Sequence, residues 1–246
     1  MKVTDYIYER VKKGTMHMTL LDPAKQDPEH AAEMASVAEG MGTDAIMVGG
    51  STGVTQENLD ATILAIKKKV KVPVIYFPSG AHAISPYADA MYFMSMLNST
   101  TVDNVVLQQV KGAPIVKKIK VEPISMGYII VEPGMKVGEV GKANPIHRAE
   151  PQTAAAYALA AEYMGMKLVY LEAGSGAPEA VPLDMIAAVK KTITVPLIVG
   201  GGIRDAKTAE KVRLAGADVV VTGTVVEDSD LGEDLKKLIQ AAKGTA

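Results

Sequence analysis

The chain has 246 residues, 26 Lys+Arg against 28 Asp+Glu, and a formal net charge of −2, with no basic block to suggest a nucleic-acid partner. It has no cysteine, which removes disulfides, thiolate metal sites and cysteine nucleophiles together. The longest uncharged run, Val72 to Ala88, is broken by Pro73, Pro78 and Pro86, and no basic start leads into an apolar stretch, so a soluble, cytoplasmic protein without a transmembrane segment or secretory signal is expected.

Short apolar runs rich in β-branched residues recur along the chain, with helical patterns between them. Strands are predicted at Met16–Leu21, Ala45–Val48, Val72–Phe77, Asn104–Leu107, Tyr128–Val131, Leu168–Leu171, Pro196–Val199 and Val219–Val221. The runs are continuously apolar rather than alternating, as parallel strands buried on both faces require. Helices are predicted at Glu29–Met41, Gln56–Val70, Thr153–Met164, Leu183–Thr192, Ala206–Ala215 and Gly232–Ala242, whereas Ser79 to Val102 shows no clean helical period. No linker or charge shift divides the chain. Eight β/α units in this length predict an α/β fold of the (β/α)8 TIM-barrel class, as one domain over residues 1–246. A doubly wound open sheet is the competitor, but Leu21-Asp22-Pro23 stands where that fold would carry its G-x-G-x-x-G fingerprint.

In a barrel the reacting groups follow the C-terminal ends of the strands. Those positions hold Asp22; Gly49 to Thr52; Ser79 with His82; Gln108 and Gln109; Glu132; Glu172 to Gly176; Gly200 to Gly202; and Thr222 to Thr224. The last three are small-residue loops that expose backbone N–H groups, and Ile203-Arg204-Asp205 leads from the triple glycine into a helix. Backbone donors beside a helix N-terminus suit a phosphate monoester, although glycines can also merely turn the chain. Asp22 is open to three roles: base, metal ligand or helix N-cap, with Asp27 better placed for the cap. With a hydroxyl from Ser51 or Thr52 it suits a Mg2+ that keeps waters and shares a substrate's phosphates, which predicts a second, diphosphate-bearing ligand. Glu172 could take a proton from a hydroxyl beside the phosphate cradle, or sit in a structural ion pair. His17, inside the first strand, reads as a packed core histidine; His30, His82 and His147 lack metal-ligand spacing. Met91 to Met96 forms an apolar patch that is either core filler or the wall of a lipid groove.

Five segments together carry a family resemblance: Met18-Thr19-Leu20-Leu21-Asp22-Pro23; Gly49-Gly50-Ser51; Tyr170-Leu171-Glu172-Ala173-Gly174-Ser175-Gly176; Val199 to Arg204; and Thr222-Gly223-Thr224. They resemble the geranylgeranylglyceryl phosphate synthases of archaeal type, from the first strand to the eighth. The resemblance implies a (β/α)8 barrel whose third helix is replaced by a non-helical segment. It implies a prenyltransferase that joins sn-glycerol 1-phosphate to geranylgeranyl diphosphate and releases pyrophosphate, forming the first ether bond of archaeal membrane lipids. By that resemblance Asp22 and Ser51 would bind Mg2+. Tyr170, Leu171, Glu172, Ala173, Gly174, Ser175, Gly176, Gly201, Gly202, Gly223 and Thr224 would hold glycerol 1-phosphate. Glu172 and Asp22 would be the catalytic pair, with Glu172 orienting or deprotonating the attacking hydroxyl. A transient contact with a membrane surface and a homo-oligomer, dimer or hexamer, are also expected; Glu139 stands where the family often has a tryptophan, which puts the larger assemblies in question. On the residues alone, two other readings stay open: a phosphate-binding isomerase or lyase, and a non-catalytic barrel that binds a phosphorylated metabolite.

Overall fold

Eight parallel strands close into a barrel in sequence order, β1 pairing with both β2 and β8. The computed structural model describes residues 1–223 and 232–245. In chain order the elements are α1 (Val3–Val11), β1 (Met16–Leu21), α2 (Pro28–Gly40), β2 (Ala45–Val48), α3 (Gln56–Lys67), β3 (Val74–Tyr76) and β4 (Ala90–Met96). A π-helical turn (Asp103–Leu107) then runs into α4 (Gln108–Ile119), followed by β5 (Glu122–Ile130), α5 (Met135–Val140), α6 (Pro151–Tyr163) and β6 (Leu168–Glu172). The chain closes with α7 (Leu183–Thr192), β7 (Leu197–Gly200), α8 (Ala206–Leu214), β8 (Val219–Thr222) and α9 (Gly232–Lys243). This is a TIM barrel.

Seven of the eight predicted strands overlap observed ones, and no helix lies between β3 and β4, as the resemblance implied. The fourth strand is a correction. Asn104–Leu107 is not a strand but part of the π-helical turn, and β4 lies at Ala90–Met96, within the stretch that showed no regular period. The Asn-Val-Val-Leu run is apolar without being buried in a sheet: Val106 and Leu107 are exposed, and Asn104 borders a cavity. The helices α1, α4 and α5 also escaped the sequence reading.

Alternate strand residues point into the barrel or out to the helices. Met16, Met18, Tyr92, Met126, Tyr128, Tyr170, Ile198 and Val221 fill the interior, while Val3 and Ile7 of α1 join the same cluster and close the N-terminal end. Glu122, at the start of β5, holds that helix in place by accepting from the N–H groups of Val3 at 2.7 Å and Thr4 at 3.0 Å. Outside the strands, two further apolar layers face the helices. His17 is wholly buried, with Nδ1 at 2.9 Å from Thr43 Oγ1 and Nε2 at 2.9 Å from Thr222 Oγ1. Burial pushes its pKa down to about 3, so it is a neutral core histidine, as expected.

Candidate functional site

Among the described residues, two cavities at the C-terminal ends of the strands share Leu20, Glu172, Ser175 and Gly223 in their linings. The larger has a volume of about 350 Å³ and runs over β2, β3 and β4 toward α4 and α5. Phe77, Ile84, Met91, Phe93, Met94, Met96, Val137 and Val140 give it apolar walls. The smaller, about 40 Å³, is bounded by Tyr170, Gly176, Gly201, Gly202, Ile203 and Arg204 beneath the ends of β6, β7 and β8.

Glu172 is the last residue of β6 and is 5% exposed. Its Oε1 accepts from the Gly174 N–H at 2.7 Å and its Oε2 from the Tyr128 hydroxyl at 3.2 Å. Burial raises its pKa, while the Gly174 N–H and the Tyr170 and Tyr128 hydroxyls oppose that rise by favouring the charged form. The result is a carboxyl with proton affinity above the ordinary carboxylate range, at the border of a polar and an apolar cavity. Phe77 fixes the two tyrosines: its ring lies edge-on to Tyr128 at 5.5 Å and stacks on Tyr170 at 5.8 Å.

The walls of the small cavity require glycine. Gly201 has φ +84°, and a Cβ there would lie 2.5 Å from Glu172 Oε1 and 2.6 Å from the Gly174 nitrogen. Arg204 ties two of the loops together by donating to the Gly176 carbonyl at 2.6 Å. The predicted helix N-terminus is less available than the sequence suggests. Asp205 caps α8, accepting from the Thr208 N–H at 2.8 Å, so the cradle consists mainly of loop backbone.

Asp22, Lys25, Ser51 and Thr52 line the polar end of the large cavity. Asp22 does not cap α2; Asp27 does, accepting from the His30 N–H at 2.9 Å. The Asp22 carboxylate rests against the bare Cα of Gly50, where a Cβ would lie 2.3 Å from Oδ1. Among the described residues no group of three or more His, Cys, Asp or Glu side chains is arranged to hold a metal. One carboxylate with neighbouring hydroxyls is a hard oxygen set, which fits a Mg2+ that completes its shell with water and substrate oxygens and does not fit a dedicated cage.

The model of the PcrB family matches residues 6–243. The chain belongs to the PcrB family. It is 53% identical over 239 residues to the geranylgeranylglyceryl phosphate synthase of Thermococcus gammatolerans, covering 97% of this chain and 95% of that protein. It is equally 53% identical, over 232 residues, to the synthase of that name from Methanosarcina acetivorans, with 94% of each chain covered. Among solved structures it matches the (S)-3-O-geranylgeranylglyceryl phosphate synthase of Thermoplasma acidophilum in complex with sn-glycerol-1-phosphate, with a TM-score of 0.96, 46% identity and 99% of both chains covered. A thiamine phosphate pyrophosphorylase from Pyrococcus furiosus, at 14% identity and a TM-score of 0.61, shares the fold alone.

In this PcrB-family barrel the sequence-predicted residues fall into three groups. Asp22 and Ser51 meet in the large cavity, and Tyr170, Glu172, Ser175, Gly176, Gly201, Gly202 and Gly223 meet around the small one. Leu171 and Ala173 instead point outward into the layer beneath the helices, and Gly174 serves Glu172 through its N–H. Thr224 lies outside the described residues. Glu132, read as a mouth residue, lines neither cavity and pairs with His147 at 3.7 Å. Sequence reasoning missed Phe77 and the α5 side chains Val137 and Val140; the Val-x-x-Val spacing of α5 was the available signal.

Proposed function

We propose that this chain is a prenyltransferase that joins sn-glycerol 1-phosphate to geranylgeranyl diphosphate, releases pyrophosphate and depends on Mg2+. The observation that carries this reading is the position of Glu172, shared by a polar cradle for a small phosphate ester and an apolar cavity suited to a long hydrocarbon. The phosphate monoester sits on the loop N–H groups around Gly176, Gly201, Gly202 and Gly223, which fixes one end of a three-carbon molecule and brings its far hydroxyl to Glu172. The prenyl chain lies between Phe77, Met91, Met94, Val137 and Val140, with its diphosphate toward Asp22 and Lys25.

The glycerol oxygen attacks the first, allylic carbon of the donor. The new C–O bond forms as the bond from that carbon to the diphosphate breaks, and the hydroxyl proton passes to the Glu172 carboxylate. The raised pKa makes that carboxylate a stronger base than an exposed one. Asp22 with Ser51 would hold Mg2+, which when bound neutralises charge on the departing diphosphate. The apolar cavity is what an isomerase or lyase of small phosphorylated metabolites would not need. The test is pyrophosphate release from geranylgeranyl diphosphate with and without sn-glycerol 1-phosphate and Mg2+. Release that needs all three, with an ether product, supports the reading; no release from folded protein overturns it.

A further inference from the structure

We infer that the exposed face running from Val102 through α4 is a docking surface for an anionic lipid bilayer. Of fifteen exposed large apolar side chains among the described residues, five (Val102, Val106, Leu107, Val110 and Ile115) fall in this one run, with Val102 63% and Val110 60% exposed. Such a cluster is unusual on a water-facing surface. The opposite side of the same segment faces inward: Gly112 and Val116 are buried, and Asn104, Gln108, Gln109 and Gly112 line the large cavity. One short segment therefore presents aliphatic side chains outward and borders the apolar cavity inward.

Charge decides which occupant the face fits. Residues 100–120 carry four lysines (Lys111, Lys117, Lys118 and Lys120) against one acid, Asp103, for a local charge of +3 in a chain of net charge −2. Asp103 is already engaged by Gln108 at 2.7 Å and Lys111 at 3.1 Å. The backbone of Lys142 lies alongside, its carbonyl accepting from the Thr100 N–H at 2.8 Å, and its charge acts on Asp103. An aliphatic stripe flanked by lysines is the pattern of a helix that lies in a lipid interface, where each lysine near an anionic surface contributes about 1 kcal/mol. α4, about 18 Å long at 1.5 Å per residue, would lie along the bilayer with the cavity beside it. The inference rests on the proposed function in one respect: a twenty-carbon donor partitions into the bilayer, and a cavity wall seated there shortens its path.

The test is co-sedimentation with phosphatidylcholine vesicles, with and without phosphatidylglycerol, for the wild type and for the double variant Val106→Glu/Val110→Glu. Neither residue lines a cavity, and both are exposed, so the fold is retained. Turnover is read in parallel on detergent-dispersed donor, and solution mass by light scattering. The wild type should bind the anionic vesicles at least about tenfold more tightly than the neutral ones, since each lysine at the surface is worth about fivefold. The double variant should lose that binding and keep both its mass and its turnover in detergent. A wild type that binds neither vesicle overturns the inference, as does a variant that binds like the wild type. A variant whose solution mass falls does so as well, because a second copy of the chain then covers the face. Failure of detergent turnover in the wild type would strike the proposed function instead and leave the vesicle result to be read independently.

Discussion

The two cavities that share Glu172 are built by opposite means. The small one is made largely of backbone: three loops of glycine and small residues, two of them tied together by Arg204, with space because side chains are missing at positions such as Gly201. The large one is made mostly of side chains from the segment after β3 and from β4, α4 and α5, which are spread over more than sixty residues of sequence. A backbone site tolerates little change in shape but reads only charge and size. A side-chain cavity tolerates repacking and sets what length of hydrocarbon fits. The comparison predicts that substitutions at the first will act on phosphate binding and those at the second on the donor.

Four substitutions would break or sharpen that contrast. Asp22→Asn removes the carboxylate at the polar end of the large cavity, and turnover should fall by on the order of 10³ with loss of the Mg2+ requirement, measured as ether formation across a Mg2+ titration. A variant that keeps its Mg2+ response would remove Asp22 from that role. Leu171→Ala, one residue from Glu172 but facing the outer layer, should cost about 2–5 kcal/mol of stability in denaturant unfolding and leave the KM for glycerol phosphate within twofold, roughly the noise of such contacts. Gly201→Ala forces a Cβ into Glu172 and the Gly174 N–H, so KM for glycerol phosphate should rise about tenfold, equal to roughly 1.4 kcal/mol, with KM for the donor unchanged. Tyr128→Phe removes a donor that favours the ionised Glu172, so the pKa of that carboxyl should rise further and the acidic limb of the kcat profile should move to higher pH. An unmoved limb would show that another group sets it.

The same contrast explains what was legible in the sequence. The cradle could be read because its residues are contiguous: Tyr170 to Gly176 and Gly200 to Gly202 follow strands whose apolar runs are unbroken. Of the large cavity, the Met91 to Met96 patch was legible as a candidate wall, and Met91, Phe93, Met94 and Met96 do line it. The strand β4 that carries them was not, because it holds Met, Tyr, Phe and Ser where a buried strand usually holds Val and Ile. The Asn104–Leu107 run misled in the opposite direction, since Val106 and Leu107 are exposed on a π-helical turn rather than packed in a sheet. Asp22 was legible by position after β1, but its contact with Gly50 depends on a neighbouring strand and on a missing side chain, which no local pattern records.

The central claim is that Glu172 takes the proton of a hydroxyl held by the cradle. The most direct measurement pairs sn-glycerol 1-phosphate binding by calorimetry with ether formation in Glu172→Gln. Because burial raises the Glu172 pKa on folding, the stability it contributes is complete below its ordinary pKa and is lost as pH rises through the raised value. The glutamine variant should therefore melt no lower than the wild type at neutral pH. The account predicts a Kd for glycerol phosphate close to that of the wild type and turnover lower by about 10²–10⁴-fold. Near-normal turnover with the substrate still bound would contradict it.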